Sequence, residues 1–251
     1  MENELKLQRL SSLELLPIEL LYEIQLYALS QSLPCTSHSL HQIYESAPSS
    51  FKAEYICLRV YGCPENVFTK ALRYPLCSLR VLLLVKRNAA QPEINRNGLE
   101  LPKRFFRDLR AQKVGSTWTE QDHPLPFIHG LYTAGFSLDV NSNNGYALTK
   151  AVQIGFSALV QLLIEKGASP TYKDNLAVRV AIRQKDLRMV KLLVERGSGG
   201  GEAKRRKLED RVMITKDLLK LAVKCNSQDI VNYFTLEKGC VPDMQTLYLM
   251  C

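Results

Sequence analysis

Nine residues recur almost unchanged thirty positions apart, and that repetition limits what the chain can fold into. Leu159-Val160-Gln161-Leu162-Leu163-Ile164-Glu165-Lys166-Gly167 aligns with Met189-Val190-Lys191-Leu192-Leu193-Val194-Glu195-Arg196-Gly197 at an offset of 30. Every apolar position matches, as do the glutamate, the basic residue and the closing glycine. Ala151-Val152 faces Ala181-Ile182 at the same offset. A third copy runs through Ala222-Val223, Ile230-Val231 and Tyr233-Phe234 to Glu237-Lys238-Gly239. It lies 41 residues beyond the second, the excess falling between Ser198 and Met213. A fainter fourth copy, Leu131-Tyr132-Thr133-Ala134-Gly135, closes 32 residues before Gly167. Self-similarity at such a period is the mark of a stacked array of small supersecondary units.

Each unit reads as a pair of helices. Leu148, Ala151 and Val152 lie on one short helix, and a turn follows at Gly155. Leu159, Val160, Leu162 and Leu163 then occupy positions i, i+1, i+3 and i+4 of a second helix, which gives it one apolar stripe. Gly167 is expected to stop that helix in the left-handed conformation that side chains resist. A lone pair of this kind cannot bury its apolar face, whereas neighbours packed on each other can.

The pattern Ala-Val…Gly…Leu-Val-x-Leu-Leu-Ile-x-x-Gly-Ala at Ala151–Ala168, with its copies, resembles the ankyrin repeat. The customary Thr-Pro-Leu-His start is replaced by Tyr146-Ala147-Leu148-Thr149, Leu176-Ala177-Val178-Arg179 and Asp217-Leu218-Leu219-Lys220. The resemblance therefore implies degenerate repeats over residues 113–251, with a flexible basic insertion at 198–211.

Beyond a tail at 1–15, Leu16-Pro17-Ile18-Glu19-Leu20-Leu21-Tyr22-Glu23-Ile24 opens a helix, with proline at its first position and an acid in its first turn. Leu20, Leu21, Ile24, Tyr27 and Ala28 are expected to form one stripe. Ser30 to Ser39 reads as a loop, Leu40 to Tyr44 as helix again, and Phe51, Tyr55, Ile56, Leu58 and Val60 as a further helix after Pro48. The Leu-Pro-x-Glu-Leu-Leu-x-x-Ile signature resembles the F-box, through which substrate receptors dock on the small adaptor of cullin–RING ubiquitin ligases. With the segment that follows, it is similar to fungal F-box-like proteins that also carry degenerate ankyrin repeats. The resemblance covers 16–62 and implies adaptor contacts at Leu16, Pro17, Leu20 and Ile24. The same apolar stripe also fits a plainer role, a helix that merely caps the repeat array.

Residues 63–112 read as a helical connection. Leu76 to Val85 is almost continuously apolar over about ten residues, which suits a buried helix or strand and falls short of the roughly 20 residues of a membrane span. Leu101–Leu109 repeats the proline-led helix start. Trp118 reads as a core anchor, with a contact residue as the alternative.

The net charge of +8 is unevenly placed. Residues 143–251 hold 18 Lys/Arg against 11 Asp/Glu, and residues 1–142 hold 15 against 14. An acidic protein partner is thus expected for the repeats. Within them, Arg179 and Arg183, then Lys220 and Lys224, are i, i+4 pairs at equivalent register, so stacking would align the four as a basic ridge. Lys204, Arg205, Arg206 and Lys207 form a cluster that reads as a nuclear import signal, as a contact for an acidic partner, or as a solvated loop.

No C-x-x-C pair, phosphate-cradling Gly-Lys-Ser/Thr loop, nucleophile elbow or H-E-x-x-H motif occurs, and the seven cysteines are scattered. Neither catalytic residues nor a metal nor a cofactor is expected, and neither nucleic acid nor a small molecule is expected as a ligand. The opening Met1-Glu2-Asn3-Glu4 lacks the basic region of a signal peptide. The expectation is an all-α intracellular interaction protein of cytoplasm or nucleus: an F-box-like segment followed by an α-solenoid of ankyrin-type pairs.

Overall fold

Helix accounts for nearly all the regular secondary structure in the computed structural model, which describes residues 11–61, 67–88, 98–110, 118–196 and 210–250. Fourteen α-helices occur among the described residues, with two strands of two residues each, and the chain is all-α. It divides into two compact units, Met1–Pro102 with Gly130–Ser137, and Lys103–His129 with Leu138–Cys251.

The first unit begins with α1 (Ile18–Ala28), α2 (His38–Ser46) and α3 (Ser49–Val60). Pro17 sits one position ahead of α1 as its N-cap, and Leu29 closes the helix in a left-handed conformation at φ 47°. Ser37 caps α2, accepting from the Leu40 N–H at 3.2 Å while donating to Glu14 at 2.5 Å. Leu21, Leu40 and Tyr44 form a small core on which Leu13, Leu16, Tyr22 and Phe51 pack. The Tyr44 hydroxyl donates to the Leu21 carbonyl at 2.8 Å, tying α2 to α1. α3 packs on α1, α4 (Val67–Arg73) and α5 (Leu79–Asn88). The apolar run at 76–85 therefore resolves as helix, burying Val81, Leu82 and Val85. Residues 130–137 belong to this unit through Phe136, which meets Phe68 edge-on at 5.3 Å and carries the Lys86 ammonium over its ring at 4.6 Å.

In the second unit the proline-led helix start yields one short helix, α6 (Arg104–Arg107), which buries Phe105 and Phe106. α7 (Leu125–Thr133) begins in this unit, where Phe127 packs on Phe105 at 4.8 Å. Trp118 stacks on buried Phe156 at 4.5 Å, and its indole N–H donates to the Ile154 carbonyl at 3.3 Å, a packing role. Three helix pairs follow: α8 (Ser142–Ile154) with α9 (Ser157–Glu165), α10 (Tyr172–Arg183) with α11 (Leu187–Val194), and α12 (Lys216–Lys224) with α13 (Gln228–Asn232). Each first helix packs on the next first helix and each second helix on the next second helix, and α12 also packs on α14 (Met244–Met250).

Equivalent positions share backbone conformation even where the residue type differs. Gly155, Lys185 and Asn226 turn the chain between the helices of each pair, all left-handed at φ 74°, 58° and 52°. α8 and α10 each open with three left-handed residues, Asn143-Asn144-Gly145 and Lys173-Asp174-Asn175, thirty positions apart. Asn, Asp and Gly tolerate that conformation best, which is why a polar turn can stand there. Gly167, at φ 91°, ends α9 in a Schellman motif: its own N–H donates to the Ile164 carbonyl at 3.0 Å and the Ala168 N–H to that of Leu163 at 2.8 Å. Space is not the constraint at Gly167, since a Cβ there would meet nothing within 4 Å. The third pair departs by one residue. α13 continues as a π-helical segment, Tyr233–Glu237, which absorbs an extra residue, so Gly239 lies 42 positions after Gly197 although Ala222 lies 41 after Ala181.

Candidate partner-binding surfaces

Amphipathic α1 presents an apolar face outward. Leu21 and Gln25 point into the first unit, while Ile18 is 49%, Leu20 43% and Tyr27 88% exposed, and Pro17 is exposed beside them. The expected single stripe from Leu20 to Ala28 is therefore split: Leu21 is buried, but Leu20, Tyr27 and Ala28 are not. The cause is the partner set. Leu40 and Tyr44 take up Leu21, and the Gln25 amide N–H donates to the Ser30 carbonyl at 2.6 Å, just past the left-handed end of the helix. Of the four adaptor contacts implied by the resemblance, Pro17 and Leu20 stand free at the surface. Ile24 is half-buried, and Leu16 packs partly against the Leu21 core.

The repeat register places Leu148, Val178 and Leu219 in the core, as the alignment requires. Arg183 and Lys224, on the neighbouring helices α10 and α12, are exposed, and no ion pair joins either to another described residue. Arg179 and Lys220 are half-buried. Lys220 is engaged by the last helix, its ammonium donating to Gln245 Oε1 at 2.6 Å. Nothing in the repeat pattern announces that contact, because Gln245 lies beyond the last copy. The Lys204–Lys207 cluster and most of the insertion lie outside the described residues.

A polar network instead forms between the second and third pairs. The buried Tyr233 hydroxyl donates to Glu195 at 2.9 Å, and Lys238 pairs with Glu195 at 3.6 Å and Asp210 at 2.8 Å. Lys191, the counterpart of Gln161 in the repeat alignment, pairs with Glu237 at 3.0 Å and lies over the Tyr233 ring at 4.8 Å. Burial, and then the hydrogen bond to Glu195, push the Tyr233 phenol far above its ordinary range, so it stays a donor.

Burial raises the Cys57 and Cys240 thiols, the opposite of an activated nucleophile. Burial and the nearby Arg104 charge lower His123. Among the described residues no group of three or more His, Cys, Asp or Glu is placed to hold a metal ion, and no helix is long and apolar enough to cross a membrane. No protein-family model, curated protein or solved structure matches the chain.

Proposed function

We propose that the chain is a protein–protein interaction adaptor of the F-box type, whose first helices dock on a cullin–RING ligase adaptor while degenerate ankyrin-type repeats hold a target. The observation that carries this reading is the outward apolar face of α1 at Pro17, Leu20 and Tyr27, on a helix whose other side already has a core of its own. Apolar side chains left exposed along one helix face support an interaction site there. That residues 16–60 bury Leu21, Leu40 and Tyr44 among themselves supports a role beyond capping an array. The equivalent left-handed turns at Gly155, Lys185 and Asn226 support reading the helix pairs as one repeated unit, stacked as a solenoid. Co-purification with the ligase adaptor tests the docking. Wild type should retain the adaptor, and Pro17→Ala with Leu20→Ala should lose it without changing the thermal midpoint. Failure of the wild type to bind would leave a repeat scaffold with no ligase role.

The target side is acidic in this reading. Arg183 and Lys224 supply exposed positive charge on adjacent helices, which favours an acidic segment and speeds its encounter. Reversing both to glutamate should weaken capture of a glutamate-rich probe peptide by about tenfold, mostly in association rate and most strongly at low salt. The control reverses Lys166 and Arg196, both exposed, at the far ends of α9 and α11. Equal loss in the control would show that only net charge matters.

A further inference from the structure

The first unit contains a cleft of about 900 Å³, within the size range of small-molecule sites. Its walls come from α1, α2, α3, α4 and the segments beside them. The charge is one-sided: Lys52, Arg59, Lys70 and Arg73 line it, against the carboxylate of Glu45. Three of these cations have internal partners. Lys52 donates to the Glu45 carbonyl at 2.6 Å, Arg59 to the Leu29 carbonyl at 2.8 Å, and Arg73 pairs with Glu100 at 3.6 Å. Lys70 has no hydrogen bond or ion pair with any described residue.

Aromatic surface adjoins this charge at Phe51 and Tyr74, both half-buried, while Tyr44 and Tyr55 back the cleft from the core at 8% and 4% exposure. The Tyr44 and Tyr55 hydroxyls are spent on backbone, on the Leu21 carbonyl and on the Ser30 carbonyl at 3.0 Å, so Phe51 and Tyr74 supply the ring surface a ligand can meet. Gln25, only 3% exposed, also lines the cleft, and its Oε1 accepts no hydrogen bond. The amide cannot be turned round, because its other end faces the Ser30 carbonyl, which accepts and never donates. A buried acceptor without a donor is a standing cost that an incoming N–H or O–H would relieve.

We propose that this cleft binds a nucleoside phosphate. The phosphate meets the cations around Lys70, the base packs on the aromatic wall, and a base or sugar donor satisfies Gln25. An inorganic anion would leave the rings and Gln25 unused, and a fatty acid carries no donor for Gln25. The sequence pattern held no small-molecule motif, and this site revises that expectation. It is independent of the adaptor reading, since neither Pro17 nor Leu20 lines the cleft.

Titration calorimetry of the full chain with AMP, GMP, CMP and UMP, and with inorganic phosphate and adenosine as partial ligands, tests it. At least one nucleotide should bind saturably, with phosphate and free nucleoside weaker by about tenfold or more, the effect of losing one charge-assisted contact. Lys70→Glu should weaken that nucleotide by about tenfold and Lys70→Gln by less, while Arg80→Glu, an exposed charge outside the cleft, should change it by less than about twofold. All three variants should keep the wild-type thermal midpoint. Absence of binding by all four nucleotides at millimolar concentration overturns the proposal. So does equal affinity for phosphate alone, or equal loss in the Lys70→Glu and Arg80→Glu variants.

Discussion

Truncating either Leu163 or Leu193 to alanine should destabilise the second unit by about 2–5 kcal/mol, the range for deleting a buried leucine and leaving a partly collapsed cavity. Both side chains are fully buried, at the same register of α9 and α11. Against a total stability of about 5–15 kcal/mol, either loss is a large fraction. Gln161→Ala is the matched control. It is exposed, with one contact to Glu165 at 3.2 Å four residues on, and should cost less than about 0.5 kcal/mol. Lys191→Ala is not a second neutral control, although it occupies the equivalent position. It gives up the Glu237 pair and the contact with Tyr233, and should fall between the two classes. Chemical denaturation of the full chain reads all four variants. A Gln161→Ala cost equal to that of Leu163→Ala would show that the repeat register is wrong.

The contrast between Gln161 and Lys191 marks how far sequence periodicity reaches. Burial along a helix depends on positions three and four apart, so Leu148, Val178 and Leu219 can be placed inside from the alignment alone. Gly167 is legible for the same reason, because the conformation it adopts is set within its own turn. What surrounds Lys191 is not local. Its partner Glu237 lies in the π-helical segment of the third pair, and the offsets of 41 and 42 residues show that a residue is gained there without showing which side chain it brings to Lys191. The turns opening α8 and α10 were hidden differently. Asn143-Asn144-Gly145 and Lys173-Asp174-Asn175 share a backbone shape but little side-chain chemistry, so no residue match exposes them.

α1 shows the same limit at a larger scale. Its composition announces an amphipathic helix, yet whether Leu20 or Leu21 turns inward depends on Leu40 and Tyr44, about twenty residues away. Gln25 would have been assigned to solvent by polarity. It is buried because its amide reaches the Ser30 carbonyl, a contact created by the left-handed turn at Leu29. The cleft is harder still to foresee. Its cations are drawn from positions 52 to 73 and its orphan acceptor from position 25, and no fixed spacing links them.

Tyr233 carries the second large effect, because one side chain joins the third helix pair to the second. Its ring is buried beneath Lys191 and Lys238, at 4.8 and 5.4 Å from the ring centre, and its hydroxyl is held by Glu195. Tyr233→Ala removes the ring and the bond together and should cost about 3–5 kcal/mol, as loss of a buried aromatic does. Tyr233→Phe keeps the ring and should cost about 1 kcal/mol, near the lower end for a hydrogen bond to a charged group, because Glu195 is partly solvated and retains Lys238. Adding Glu195→Gln to each background separates the two contributions. With phenylalanine in place, the second change should cost less than it does in wild type, since the shared bond is already gone. High salt should narrow the difference between Glu195→Gln and wild type while leaving the Tyr233→Ala deficit nearly intact, because screening acts on the ion pairs and not on the buried ring. If Tyr233→Phe costs as much as Tyr233→Ala, the hydroxyl rather than the packed ring holds the third pair in place.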